Sequence, residues 1–186
     1  KKLTQNPRLR RSVLLVLFSG EEIGLLGSRH FIDTFAISKD RKIVAMFNFD
    51  MVGRMRQNHL NLIATNSAHE FPILLQNANR RLKLNLESME SGESTSDHYS
   101  FLEKKIPVVS FTTGIHDDFH RETDTAEKIE YLGISKIVDL AANAITRLDQ
   151  FEANPHFNPD AMDATDPANP PAEDSIAGAR EVKNAE

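Results

Sequence analysis

The stretch SVLLVLFSGEEIGLLGS at 12–28 indicates the fold class, because an uninterrupted apolar run leads directly into a polar segment with glycines. An apolar run such as SVLLVLF at 12–18 is typical of a strand that is buried on both faces of a sheet. IVAMFNF at 43–49 and VVSFT at 108–112 have the same character, whereas LNLIA at 60–64 is a weaker, alternating candidate. We therefore predict four strands.

Helical patterns alternate with these strands. The predicted helices cover about 24–35, 70–82, 97–104 and 133–150, and apolar residues in the last recur at spacings of three and four. Buried strands that alternate with amphipathic helices indicate an α/β fold, a three-layer sandwich with a mostly parallel, mixed central sheet. In such folds ligands collect beyond the carboxyl ends of the strands.

Composition divides the chain of 186 residues into a body, 1–151, and a tail, 152–186. The tail holds eight acidic and two basic residues, which leaves the body with 19 acidic and 20 basic residues and gives no electrostatic reason to expect nucleic acid. We expect the tail, rich in Pro and Ala, to be disordered. The absence of cysteine excludes a disulfide scaffold and a Cys nucleophile, and no apolar run predicts a membrane span.

Acidic residues follow the first two predicted strands. Glu21 and Glu22 are adjacent and flanked by glycines, and two carboxylates so close raise one pKa unless a cation lies between them. The pair is either a solvated turn or part of a site. Asp50 ends the second apolar run and is either a helix N-cap or a metal ligand.

The predicted strand at 108–112 is followed by two His and three Asp within nine residues, 116–124. Neutral imidazole and carboxylate suit zinc, so this composition indicates metal binding, with a polar loop of no catalytic role as the alternative. Before the predicted strand at 108–112, Ser96 or Asp97 is expected to cap a short helix, and His98 is expected to be structural.

FSGEEIGLLGSRHF at 18–31, NFDMVGR at 48–54, SDHYSF at 96–101 and TTGIHDDFHRETDT at 112–125 resemble blocks of the di-zinc aminopeptidase family. That family includes bacterial leucyl and streptomycete-type aminopeptidases, with glutamate carboxypeptidase and glutaminyl cyclase as relatives. The resemblance covers about 12–150. It implies a zinc-exopeptidase-like fold, two zinc ions, a peptide substrate and export to the periplasm or beyond.

The resemblance also implies roles for particular residues. Glu21 would be the general base, Glu22 and His120 would share one zinc, and Asp50 would bind the other. Four further residues would orient ligands or contact substrate: Asp97, His98, His116 and Asp124. The expected reaction is hydrolysis of N-terminal residues from peptides, with a zinc-activated water as nucleophile.

Two departures from the family pattern affect these expectations. Phe119 stands where the family commonly has Tyr, which removes a hydroxyl that would support the oxyanion. The family also needs a His and a bridging Asp before the Glu pair, and 1–11 contains neither. Because the sequence begins at Lys1 and lacks these ligands, we expect a C-terminal portion of a larger peptidase that alone binds zinc poorly and hydrolyses little.

Two alternatives remain open at this stage. A glutaminyl cyclase uses acid, acid and His on a single zinc, so the missing bridging Asp would matter less to it. A binding module that has lost catalysis would have little physical reason to retain adjacent carboxylates at a strand end. The sequence does not predict the oligomeric state.

Overall fold

Four strands form one mixed sheet in the computed structural model, which describes residues 9–35, 42–89 and 96–163. They are β1 (Met46–Phe49), β2 (His59–Ile63), β3 (Asn85–Met89) and β4 (Val108–Thr112), in the sheet order β1-β4-β2-β3. β1 is parallel to β4 and β2 to β3, whereas β2 is antiparallel to β4. The carboxyl ends of β1 and β4 therefore lie at one edge, beside the amino end of β2.

Helices cover both faces of this sheet, which confirms the predicted three-layer α/β sandwich. α1 (Leu26–Phe35) and α3 (His98–Leu102) pack on one face, and α2 (Phe71–Asn79) and α4 (Tyr131–Asp149) on the other. Alternate residues of β4 serve the two cores: Val109 joins the core under α2 and α4, and Val108 joins the core under α1 and α3. No helix in the described ranges is both long and apolar enough to cross a membrane.

The prediction that 12–18 forms a strand buried on both faces is wrong. This segment pairs with no strand in the part of the chain that the structure describes, and the side chains of Leu15 and Leu17 are 89% and 100% exposed. Only its last residue packs well, because the Phe18 ring lies 5.6 Å from that of Phe31. An apolar run needs a neighbouring strand to satisfy its backbone groups, and none is present here.

The predicted start of disorder at 152 is also wrong for the first part of the tail. Phe157 forms an antiparallel bridge with Ala68, Asn158 donates its backbone N–H to the Ser67 carbonyl at 2.9 Å, and Ala161 is fully buried. A short helix, α5 (Asp160–Asp163), ends this packed segment. Residues 164–186, which were also predicted to be disordered, lie outside the described residues, and the division of the chain into body and tail stays a prediction.

Candidate active site

The loops that follow β1 and β4 are tied to each other at one edge of the sheet. Asp50 comes directly after β1 and donates its backbone N–H to the Phe111 carbonyl at 3.2 Å. One residue later, Met51 adopts a left-handed φ of 55°, and its carbonyl accepts from the Thr113 N–H at 3.0 Å. Asp50 therefore lies where β4 ends, as the arrangement of parallel strands predicts.

The turn with the two glutamates is shaped by close backbone contact. The Gly27 N–H donates to the Ser19 carbonyl at 2.9 Å, and a Cβ on Gly27 would lie only 2.4 Å from that oxygen. Only glycine lets the start of α1 approach the preceding segment this closely. The turn at 20–25 is closed by two N–H groups, those of Gly24 and Leu25, which donate to the Glu21 carbonyl.

Glu22 and His120 meet at this edge although 98 residues separate them in the chain. His120 Nε2 lies 3.0 Å from Glu22 Oε1, and both side chains are more than half exposed. A contact so exposed adds little stability, and both groups are accessible to solvent. His120 itself has a left-handed φ of 55°, and the Phe119 ring stacks on its imidazole with centroids 3.9 Å apart.

The pKa of Glu21 is set by burial and by the charges of its neighbours. Burial raises the pKa of the Glu21 carboxyl, and the charges of Glu22, Asp50 and Asp97 raise it further. The charge of His120 acts in the opposite direction. The charges of Glu22, Asp50, Asp97 and His120 therefore all act on Glu21, and a carboxylate with a raised pKa is a stronger base than an ordinary glutamate.

Neither Ser96 nor Asp97 plays the capping role predicted for the start of α3. The Asp97 side chain makes no capping hydrogen bond, and the Ser96 hydroxyl instead accepts from Asn48 Nδ2 at 3.0 Å. Asp97 Oδ1 and His98 Nδ1 are both buried and have no hydrogen-bond partner among the described residues. Burial lowers the pKa of His98 to about 4, so its imidazole is neutral at pH 7, in agreement with a structural histidine.

Asp118 and Asp124 are held by cations. Arg54 contacts Asp118 Oδ2 through both terminal nitrogens at 3.2 Å and also binds Asp124, and Lys128 Nζ lies 2.6 Å from Asp118 Oδ1. The Lys128 ammonium lowers the pKa of Asp118 far below its ordinary value, with help from Thr123 and Arg54. His116 Nε2 is 3.8 Å from Asp124 Oδ2. The acids of this cluster therefore fix the loop around Arg54.

Sequence reasoning missed Arg54 and Lys128. Arg54 was visible as the last residue of the NFDMVGR block, four residues after Asp50, but nothing in the sequence showed that Asp118 and Asp124 would neutralise it. Lys128 lies in a 3-10 turn, Ala126–Lys128, with no comparable signal.

The donor set fits zinc in chemical kind but not in number. Carboxylate and imidazole are zinc ligands. Asp97 Oδ1 is buried and has no hydrogen-bond partner among the described residues, and such an oxygen would be satisfied by a bound cation. Across the described ranges, however, no three or more His, Cys, Asp or Glu side chains are arranged to hold a metal ion. The residues described here therefore do not form a closed metal site by themselves.

The profile of peptidase family M28 matches residues 1–145, a span that includes every residue of this site. The chain belongs to peptidase family M28. The resemblance found in the sequence blocks is thereby confirmed, and the family supplies the context in which Glu21, Glu22, Asp50 and His120 are interpreted below.

Individual M28 relatives are similar over only part of their length. The aminopeptidase YwaD of Bacillus subtilis is 25% identical over a region that covers 78% of this chain and 34% of YwaD. The solved aminopeptidase from Aneurinibacillus sp. strain AM-1 is 27% identical, with a TM-score of 0.59, and covers 76% of this chain and 33% of that one. LapB from Legionella pneumophila has a TM-score of 0.71 at 17% identity, over 80% and 42% of the two chains. The chain thus spans about a third to two fifths of these relatives.

Proposed function

We propose that this chain carries part of the catalytic site of a zinc-dependent aminopeptidase that releases N-terminal residues from peptides. The observation that carries the proposal is the contact of His120 with Glu22, next to Glu21 with its raised pKa. Membership of M28 and the similarity to aminopeptidases support it. A structural neighbour of 24% identity is described as a zinc aminopeptidase from Bacillus subtilis, which supports zinc as the metal.

Glu22, Asp50 and His120 would hold the metal, and the remaining ligands would come from outside this chain. Zinc, when bound, lowers the pKa of a coordinated water and polarises the scissile carbonyl. Two ions are proposed for the complete enzyme on the strength of the family resemblance. Phe119, which stacks on the His120 ring, orients that ligand but has no hydroxyl to donate to an oxyanion.

Glu21 would act as the general base. Its carboxylate would take a proton from the attacking water and return it to the leaving amine, and burial, followed by the charges of neighbouring acids, raises its pKa and makes it a stronger base. Asp97 contributes to that tuning by its charge without touching the reacting atoms. The carboxylate of the next residue, Glu22, would then be free to bind the metal.

The test is Glu21→Gln in the complete enzyme that contains this chain. We expect zinc content, measured by inductively coupled plasma mass spectrometry, to stay unchanged while kcat for a leucyl-anilide substrate falls by roughly 10²–10⁴. Glu152→Gln, which changes an exposed glutamate just after α4, is the matched control and should keep the wild-type rate. A Glu21→Gln enzyme that loses its zinc or retains its rate would contradict the assignment.

A further inference from the structure

A cationic pocket borders the candidate active site. This cavity of about 260 Å³ is lined by Arg54, Arg56, Gln57, His59 and His116, together with Thr113 and Ile115 in the loop after β4. No acidic residue is among its lining residues. The pocket belongs to the two loops that carry the proposed ligands, because Arg54 follows Asp50 by four residues and His116 precedes His120 by four.

The two arginines of the pocket differ in their charge balance. Arg54 is 12% exposed and bound by Asp118 and Asp124, so its charge is compensated inside the protein. No carboxylate in the described ranges lies within ion-pair distance of the Arg56 guanidinium, and the side chain is exposed. Arg56 is therefore the uncompensated cation of the pocket, and a guanidinium binds a carboxylate through paired, charge-assisted hydrogen bonds.

A tight turn fixes the backbone that carries this arginine. Gln57 and Asn58 both adopt left-handed backbone conformations, with φ of 50° and 58°, in the turn that leads from Arg56 into β2. The turn is closed by the His59 N–H, which donates to the Arg56 carbonyl at 2.8 Å. Left-handed conformations at two successive non-glycine residues are costly and persist only where the surrounding structure fixes them.

The histidines form the walls of the pocket. His59 Nε2 lies 2.8 Å from Asn61 Oδ1 and 3.1 Å from Glu87 Oε2, which fixes the ring against the sheet. The His116 side chain is 9% exposed, lies 3.8 Å from Asp124 and has a buried Nδ1 without a hydrogen-bond partner. Both walls are therefore set by the fold before any ligand arrives, so little ordering cost would accompany binding.

We propose that this pocket is a subsite for a carboxylate of the peptide substrate, with Arg56 as its anchor. Four residues of chain reach at most about 14 Å, so the pocket lies within a few peptide residues of the proposed zinc ligands. The carboxylate is either an acidic side chain or the C-terminus of a short peptide. The inference rests on the proposed peptidase function, because only then is a peptide the ligand.

Binding of dipeptides to the 186-residue chain tests the proposed carboxylate subsite, because this measurement needs neither turnover nor metal. Glu-Ala-amide is compared with Gln-Ala-amide for the side-chain carboxylate, and Ala-Ala is compared with Ala-Ala-amide for the terminal carboxylate, each by NMR titration. We expect one acidic ligand to bind about tenfold more tightly than its neutral counterpart, with shifts of the Arg56 and His59 resonances. The pair that discriminates identifies the source of the carboxylate.

Substitutions of Arg56 test whether this residue is responsible for the discrimination between acidic and neutral ligands. Arg56→Gln should abolish the discrimination and Arg56→Lys should keep part of it, whereas Arg80→Gln, which removes an exposed arginine at the end of α2, should leave it intact. Equal binding of both members of each pair, or discrimination that survives in Arg56→Gln, would overturn the proposal. Failure of the Glu21→Gln experiment leaves this result untouched, because no catalysis is measured.

Discussion

The buried imidazole of His98 makes the stability of the fold depend on pH. Burial lowers its pKa from 6.5 to about 4, because the charged form loses its hydration. Between pH 6.5 and about pH 4 the unfolded chain binds a proton at His98 that the folded chain does not bind. The contribution of neutral His98 to the free energy of unfolding is therefore complete above pH 6.5 and is lost as the pH falls toward 4. A shift of this size corresponds to about 3 kcal/mol.

We therefore expect His98→Gln to flatten the dependence of the unfolding free energy on pH between 7 and 4. Urea denaturation at several pH values measures this slope. The exposed His69, changed to Gln, is the control and should leave the slope as it is in the unchanged chain. A His98→Gln variant with the same slope as the unchanged chain would show that another group titrates in this window.

At the residue level the sequence predicts which side chains converge but not how they are partnered. Glu21 and Asp50 follow apolar runs, which makes them candidates, whereas only the family resemblance singles out His120 in a loop rich in His and Asp. Arg54 contacts Asp124 across 70 residues of chain, a pairing that depends on tertiary structure. The isolated Asp97 oxygen likewise depends on how β1 and α3 pack, which residue types do not reveal.

At the level of elements, Gly133 allows α4 to begin close to the loop after β1. A Cβ at this position would lie 2.6 Å from the Cβ of Met55 and 2.8 Å from the Glu130 Oε2 that caps the helix by accepting from the Gly133 N–H. At a solvent-exposed position inside a helix, replacing Gly by Ala stabilises the protein by up to about 1 kcal/mol. Here we expect Gly133→Ala to destabilise by about 1–3 kcal/mol, because a packed contact must move.

Urea denaturation of Gly133→Ala measures this effect. Ser135→Ala, at an exposed position two residues further along α4, isolates the helix propensity and should change stability little or raise it slightly. If Gly133→Ala were as stable as the unchanged chain or more so, the close approach at Met55 would not constrain the start of the helix.

The strands show where periodicity predicts an element and where it does not. VVSFT at 108–112 became a fully buried central strand, because both faces of the sheet are covered by helices there. The equally apolar 12–18 did not, because burial also needs a neighbour for hydrogen bonding, and a pattern of side chains carries no information about that neighbour. β3 was missed because NLESM, mostly exposed at the sheet edge, has little apolar signal.

At the scale of the whole molecule, we expect the proposed ligands to be too few to retain a metal. Since the described residues include no three-ligand cluster, we expect the 186-residue chain to bind zinc weakly and to release no measurable product from leucyl-anilide. Competition with a chromophoric chelator measures the zinc affinity. Tight, stoichiometric zinc binding accompanied by turnover would contradict this expectation and would show that this chain supplies the whole site.

The exposed segment at 13–17 gives the molecule an apolar surface that water does not favour. Leu14, Leu15 and Leu17 are 60%, 89% and 100% exposed, and covering one such side chain is worth about 1.5–3 kcal/mol. We expect the isolated chain to associate with a second copy through this segment, as measured by sedimentation velocity. The double variant Leu15→Lys, Leu17→Lys should be monomeric with an unchanged unfolding free energy, because side chains so exposed contribute little to the core.

Ile73→Lys is the matched control, since Ile73 is 56% exposed on α2. It should leave the association intact. Equal dissociation by Ile73→Lys would show that association follows net charge rather than the segment. A chain that stays monomeric at every concentration tested would contradict the prediction.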